Sequence, residues 1–191
     1  MLWLVRHAQP LLPPGLCYGA LDIPADAVLT QSAAHRLAAV LPRNVPVRVL
    51  ASPLQRCVQL AECLHGLRPD LPFATDVRLQ EMDFGIWEGV PWPDIPRAAV
   101  DEWVANFATH RFGGKESAHD VMQRVAAVWD EMHRAQTACA SPRCHALWIT
   151  HKGIAQATML LSQGQRRVQQ AADWPTVRLD YGGWRCLALQ R

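Results

Sequence analysis

Residues 1–10 read MLWLVRHAQP, and the fold follows from how this stretch is read. Leu2 to Val5 is a continuous apolar run ending on a β-branched residue, the pattern of a short strand buried on both faces. Strands of that kind belong to parallel sheets covered by helices. The run passes directly into Arg6 and His7, and Pro10 follows at once. A strand so apolar has no packing reason to end on two polar side chains. An ion-paired sheet edge is the plain explanation, so the pair gains meaning only from the rest of the chain.

Working outward, strands and helices alternate. Residues 10–29 are rich in Pro and Gly and form a long loop. Thr30 is the expected N-cap of a helix carrying Ala34, Leu37, Ala38 and Leu41 on one face and stopping at Pro42. Val47 to Ala51 is a second strand. Ser52-Pro53 then supplies an N-cap followed by proline, so a helix is expected to start there, with Leu54, Cys57, Val58, Ala61 and Leu64 on its apolar face. A short strand is expected within 73–79, an irregular Gly- and Pro-containing segment over 81–96 and a helix near 97–108. Between Ser117 and His133, the apolar residues from Ala118 to Met132 repeat at helical spacing and form core. Ala146 to Ile149 is a strand running into Thr150-His151 and a further helix, and a last strand is expected over 186–189. This alternation predicts an α/β fold, a three-layer α/β/α sandwich around a mostly parallel sheet, as one domain spanning 1–191.

Composition narrows the class. The chain has 191 residues, of which 50% are hydrophobic and 19% charged, with a net charge of +2, which is ordinary for a globular protein. The cationic residues are scattered, so nucleic acid is not indicated. No stretch approaches the ~20 apolar residues needed to cross a bilayer. The N-terminal run is too short for a signal peptide and has no basic leader, so a cytoplasmic location is expected. Six cysteines lack any C-x-x-C pair and are expected to be small buried hydrophobes rather than disulfides. Cys139, Cys144 and His145 form a loose cluster without a second pair at zinc-ligand spacing, and no metal is expected there.

In α/β sheets, ligands bind beyond the carboxyl ends of the strands. Three strand ends here carry Arg6-His7, then Ser52-Pro-Leu-Gln-Arg56, then Thr150-His151. Arg56 alone fits a solvated surface charge, and His151 alone fits a cap or a core histidine. Together they bring two arginines and two histidines to one edge. Guanidinium forks suit phosphate oxygens, and a helix N-terminus adds donors. A neutral imidazole among them is a competent nucleophile. A leaving alkoxide needs a proton, for which the loop LQEMDFGIWEG (79–89) offers Glu81, Asp83 and Glu88.

These motifs resemble the histidine phosphatase superfamily, which includes the cofactor-dependent phosphoglycerate mutases. Leu4-Val-Arg-His7 resembles its R-H-G signature and Ser52-Pro-Leu-Gln-Arg56 its S-P-L-x-R element. Residues 79–89 are similar to L-x-E-x-x-x-G-x-x-E-G. Gly113-Gly-Lys-Glu116-Ser with Arg124-Val resembles G-G-E-S…R-V with one inserted lysine. Thr150-His151-Lys-Gly matches the second-histidine element. The elements lie in the family's order over residues 2 to about 155.

The resemblance implies a phosphoglycerate mutase-like fold. His7 would become phosphohistidine, Arg6, Arg56 and His151 would bind the phosphoryl oxygens, and Glu81 would be the general acid and then the base. Glu88 is expected to have a structural task. No metal or organic cofactor is implied, and the partner would be a small phosphorylated metabolite. Ala8 replaces the signature glycine, and Pro13 stands where the family often has a phosphate-touching asparagine. Gln9 or loop amides are expected to replace that contact, and Tyr18-Gly19 to line the substrate pocket. The compact length and the loops around Tyr18 and Glu81 look most like α-ribazole phosphatases, which implies α-ribazole 5′-phosphate as substrate. A mutase-like or broad-specificity phosphatase is the alternative, and a non-catalytic phosphate-binding module is the alternative of a different class. Trp87, Trp92 and Trp103 are expected to pack the variable segment rather than to stack on a substrate ring, and the other histidines, among them His35, His65, His110, His119 and His133, to lie at the surface.

Overall fold

The structure is a computed structural model and describes residues 1–137 and 144–189. Five strands form one sheet in the order β3-β2-β4-β1-β5. They are β1 (Leu2–Arg6), β2 (Val47–Ala51), β3 (Phe73–Thr75), β4 (His145–Thr150) and β5 (Trp184–Leu187). All neighbouring pairs are parallel except β1 and β5.

Period-two alternation divides the apolar side chains between two layers. Leu2, Leu4, Ala146 and Trp148 face α4 (Ala118–Thr137) and α5 (Lys152–Ser162). Val5, Val49, Ala51, Leu147 and Ile149 face α1 (Ala27–Val40) and α2 (Gln55–Leu67). The result is the expected α/β/α sandwich, with β1 and β4 buried at its centre. A remaining helix, α3 (Arg97–Ala105), carries part of the segment between β3 and α4.

Several boundaries differ from the sequence expectation for identifiable reasons. α1 starts three residues earlier than Thr30 because Asp26 caps it, accepting from the Leu29 N–H at 2.8 Å. Thr30 is buried inside the helix and donates its hydroxyl to the Asp26 carbonyl. Ser52 does not cap α2. The N-cap position is Leu54, whose N–H donates to the Ser52 hydroxyl oxygen at 3.3 Å; that hydroxyl also meets His151 Nε2 at 2.8 Å, and Asp22 accepts from the Gln55 N–H at 2.7 Å from across the loop. The short third strand gives way after Thr75 to a single 3₁₀ turn over Val77–Leu79, capped by Asp76. β5 begins at Trp184 rather than residue 186. At the start of α4, the Asp120 N–H donates to the Ser117 hydroxyl oxygen while the Ser117 N–H donates to the Asp120 carboxylate.

Cys17 and Cys57 are buried free thiols, as expected, whereas Cys63 is half-buried and Cys186 exposed. Cys144 is disulfide-bonded, which corrects the expectation of free thiols throughout. Cys139, the other cysteine of the cluster around His145, lies outside the described residues. Among the described residues no group of three His, Cys, Asp or Glu side chains is placed to hold a metal ion, and no helix is long and apolar enough to cross a membrane.

The central strand β4 contributes side chains to both layers. Leu147→Ala removes a side chain with no exposed surface, and its expected cost is about 2–5 kcal/mol in urea denaturation. Val28→Ala, at a site 75% exposed, is expected to change stability by less than about 1 kcal/mol. Similar values for the two variants would contradict the assignment of β4 to the core.

Candidate active site

The carboxyl ends of β1 and β4 lie side by side, with Arg6 in register with Thr150. The His7 N–H donates to the Thr150 carbonyl at 3.1 Å, so the two strands leave the sheet together. This places the His7 and His151 rings 5.1 Å apart between centroids. Arg56, in the first turn of α2, reaches the same point. Its Nε donates to His7 Nε2 at 3.3 Å, its Nη1 to the Leu21 carbonyl at 2.7 Å and its Nη2 to the Gly19 carbonyl at 2.5 Å.

These bonds fix the state of His7. A guanidinium Nε always bears hydrogen, so His7 Nε2 accepts and the ring proton sits on Nδ1. Nδ1 donates to the Ala8 carbonyl at 2.7 Å. Burial is the main cause that holds His7 well below the ordinary histidine range, and the Arg56 charge adds to it, with a smaller part from Arg6. A neutral imidazole with an available Nε2 lone pair is the form that can attack phosphorus.

His151 is completely buried and is also held well below its ordinary range, first by burial and then by the nearby His7, Arg56, Arg124 and Arg6. Its Nε2 is hydrogen-bonded to the Ser52 hydroxyl at 2.8 Å. Among the described residues the buried His151 Nδ1 and Arg6 Nε have no hydrogen-bond partner. Buried polar groups are normally satisfied, and an anion at the junction of these groups would give the Arg6 Nε–H an acceptor.

The acid loop is held by several carboxylates. Glu81 accepts from its neighbour's Met82 N–H at 3.1 Å and from the Gly153 N–H of α5 at 3.0 Å. A Cβ at position 153 would collide with the Glu81 carboxylate, so glycine after Lys152 admits the close approach. Glu88 accepts from four backbone N–H groups, those of Gly19, Ala20, Leu21 and Phe84, which matches its expected structural task. Arg124 donates to the Arg78 and Gln80 carbonyls, each at 2.7 Å, and pairs with Glu116 at 2.6 Å. Glu116 in turn accepts from the Asp83 N–H. The Glu116 and Arg124 element, separated in sequence from the acid loop, thus supports it from behind.

A cavity of about 480 Å³ opens over this centre, and Arg6, His7, Arg56, Glu81 and His151 all line it. Its far wall is aromatic, with Phe84, Trp92, Trp103, Phe107 and Trp174, while Lys152 and Gln156 project from the first turns of α5. Tyr18 lines it as expected. Gly19 does not, and acts one step behind through its bonds to Glu88 and Arg56. Gln9 also falls outside the cavity. Backbone pairing of residues 9–11 with 24–26 holds its side chain exposed. Trp87 packs on Phe112 and stays out of the cavity, whereas Trp92 and Trp103 pack on Phe112 and also face the cavity.

Tyr181, Trp174, Phe107, Lys152 and Gln156 were not selected from the sequence. Tyr181 could have been noticed, because it precedes Gly182-Gly183 immediately before the last strand. The remaining residues carry no local signal and reach the cavity only through packing. Among the surface histidines, His110 and His119 are half-buried, and His133 packs on Trp129 at 4.6 Å.

Fold and site together are those of a phosphoric monoester hydrolase. The chain belongs to the histidine phosphatase superfamily, branch 1, whose profile matches residues 2–191. It is similar to the glucosyl-3-phosphoglycerate phosphatase of Mycolicibacterium vanbaalenii, at 30% identity over 165 residues, covering 82% of this chain and 71% of that protein. The fold resembles the α-ribazole phosphatase of Shigella flexneri with a TM-score of 0.77, at 24% identity over 96% of this chain and 87% of that one. It also resembles the mycobacterial glucosyl-3-phosphoglycerate phosphatase in complex with VO3. There the TM-score is 0.75 and the identity 26%, covering 96% of this chain and 90% of that one.

Two outcomes are expected from these contacts. Glu88→Ala strips four N–H groups of their acceptor and is expected to cost about 3 kcal/mol in stability. It should also lower kcat/KM, because the Gly19 and Leu21 carbonyls that hold Arg56 shift with it. The second concerns pH. Both buried histidines stay neutral in the folded protein, while the unfolded chain protonates its histidines below about pH 6.5. The unfolded state therefore binds more protons as pH falls through that value, and stability declines toward lower pH. His7→Asn is expected to shrink the drop in melting temperature between about pH 7 and pH 5; a drop as large as wild type would contradict neutral burial of His7.

Proposed function

We propose that the enzyme hydrolyses its phosphate monoester through a phosphohistidine on His7. The observation that carries this reading is the Arg56 Nε–H bond to His7 Nε2, which selects the neutral tautomer and sets the nucleophile against a phosphate-binding cation. His7 Nε2 forms a bond to phosphorus as the bond to the leaving oxygen breaks. The protonated carboxyl of Glu81 gives its proton to that oxygen, releasing the alcohol. Glu81, now a carboxylate, takes a proton from water, whose oxygen attacks phosphorus. The Nε2–P bond then breaks, restoring the imidazole and freeing phosphate. Arg6, Arg56 and His151 offset the charge of the phosphoryl oxygens in both steps. None of these steps calls for a metal or an organic cofactor.

For the substrate, the reading extends to a monoester whose alcohol bears a fused aromatic ring, with α-ribazole 5′-phosphate as the specific compound. The five aromatic side chains beyond Glu81 support it, since offset and edge contacts to such a ring add to its burial. A glucosyl-3-phosphoglycerate substrate is the second reading. The 30% identity to a phosphatase of that name favours it, and Lys152 at the cavity rim supplies a cation for a carboxylate.

p-Nitrophenyl phosphate turnover tests the chemistry. His7→Ala is expected to abolish it, and Glu81→Gln to lower kcat by about 10²–10⁴-fold, the usual worth of a proton shuttle. Denaturing wild type in alkali during turnover should trap phosphate on the protein that later acid treatment releases. Undiminished turnover by His7→Ala would remove the mechanism. A panel of α-ribazole 5′-phosphate, glucosyl-3-phosphoglycerate, 3-phosphoglycerate and sugar phosphates ranks the substrates by kcat/KM. Trp103→Ala should raise KM for α-ribazole 5′-phosphate and spare glucosyl-3-phosphoglycerate, which has no aromatic ring, if the first substrate reading holds.

A further inference from the structure

Two tyrosines from distant parts of the chain meet over the phosphate end of the cavity. Tyr18 lies in the loop after β1, and Tyr181 in the turn before β5. Their hydroxyls are 2.7 Å apart and hydrogen-bonded to each other. The Tyr181 ring lies under the Arg6 guanidinium, 3.7 Å from the guanidinium carbon to the ring centroid, and 5.6 Å from the His7 ring. The Tyr18 ring is 5.7 Å from the Arg56 guanidinium carbon. Each phosphate-binding arginine therefore has one face toward one member of the pair.

We propose that Tyr181, braced by Tyr18, is a positioning residue that sets the orientation of Arg6 in the phosphate clamp. The inference rests on the reading of Arg6 as a phosphate ligand. Arg6 has a long side chain with several free rotors, and among the described residues its head makes one hydrogen bond, the Nη1 donation to the Leu179 carbonyl at 2.9 Å. One hydrogen bond leaves the plane of the guanidinium free to swing about it. Stacking on Tyr181 fixes that plane, and with Nη1 committed to Leu179 the remaining in-plane edge, including the unpartnered Nε, is turned to the site.

The ring itself is held in place by its backbone. The Gly182 N–H donates to the His7 carbonyl at 2.9 Å, and the Arg6 N–H to the Gly183 carbonyl at 3.0 Å, so the turn bearing Tyr181 is bonded directly to the nucleophile's strand. Gly182 has a φ of +65° and its added Cβ would stand 2.8 Å from Ala33, which leaves glycine as the residue that permits this turn. The phenol bond to Tyr18 fixes the outer end of the ring. Phosphate affinity should therefore depend on the aromatic face of residue 181, and less on its hydroxyl.

The test combines inorganic phosphate binding by calorimetry with p-nitrophenyl phosphate kinetics. Tyr181→Leu is expected to weaken phosphate binding and raise KM about tenfold, with kcat changed less than about threefold. Tyr181→Phe keeps the ring face and should remain within about threefold of wild type in both, and Tyr18→Phe should match it because each removes the same phenol bond. In an Arg6→Ala background, Tyr181→Leu should add no further loss. Phosphate affinity unchanged in Tyr181→Leu, or lost equally with and without Arg6, overturns the proposal, as does a loss in Tyr181→Phe equal to that in Tyr181→Leu. If Tyr181→Leu yields no folded protein by circular dichroism, Tyr181→Met supplies the same comparison with bulk but no ring. Turnover retained by His7→Ala would remove the phosphohistidine reading alone, since the role of Tyr181 is judged by phosphate affinity and does not need that intermediate.

Discussion

A buried guanidinium organises this molecule. Arg56 has no exposed surface, and a cation taken out of water is tolerable only where its donors are met. Three of them are: by the Leu21 and Gly19 carbonyls of the loop after β1 and by His7 Nε2. The loop can present those carbonyls because Glu88 gathers its N–H groups, and Glu88 is available because the acid loop folds back beside Gly19. A Cβ on Gly19 would strike the Met82 carbonyl, which shows how closely the two loops pass. Strand end, loop and acid segment are thus arranged around one charge, and that charge adds to burial in keeping His7 deprotonated at Nε2.

The two ends of the cavity follow different physical rules. At the histidine end Arg56, Glu81 and Glu88 are fixed by hydrogen bonds of defined direction, and a change in one displaces its neighbours. At the other end Phe84, Trp103 and Phe112 meet edge to face or stacked at 4.6–6.1 Å between centroids. Aromatic packing of this kind tolerates changes in shape more readily than a charged network does. Chemistry shared across a family and substrates that differ within it are compatible with that division.

The sheet, its covering helices and the Arg6, His7, Arg56, Glu81 and His151 constellation were legible in the sequence because local signals coincide there. Apolar strands end in charged residues, and each lies in a recognisable motif. The Ser52-Pro53 helix start was misread because α2 begins only at Gln55, whose N–H is met by Asp22 from a loop 33 positions away. Thr30 was misplaced because Asp26 offers a carboxylate one turn earlier. Gln9 looked suited to a phosphate contact by proximity to His7 in sequence, but strand-like pairing with residues 24–26 turns it outward. Tyr181 was marked only by the Gly182-Gly183 pair that follows it, and its partner lies 163 residues away. What sequence conceals here is mainly who meets whom over long separations.

The placement of β1 has a bearing on how a nascent chain reaches this state. Strand β1 is made early, yet both of its sheet neighbours, β4 and β5, lie beyond residue 144. Until they emerge from the ribosome, Leu2, Leu4 and Val5 have no strand to pair with, and β2 can pair only with the three-residue β3. Loop closure over such separations is slow, and unpaired apolar strands are vulnerable to wrong partners. The strand that carries His7 is therefore among the last to be secured, and the window for misfolding or chaperone capture stays open until β4 and β5 have been made.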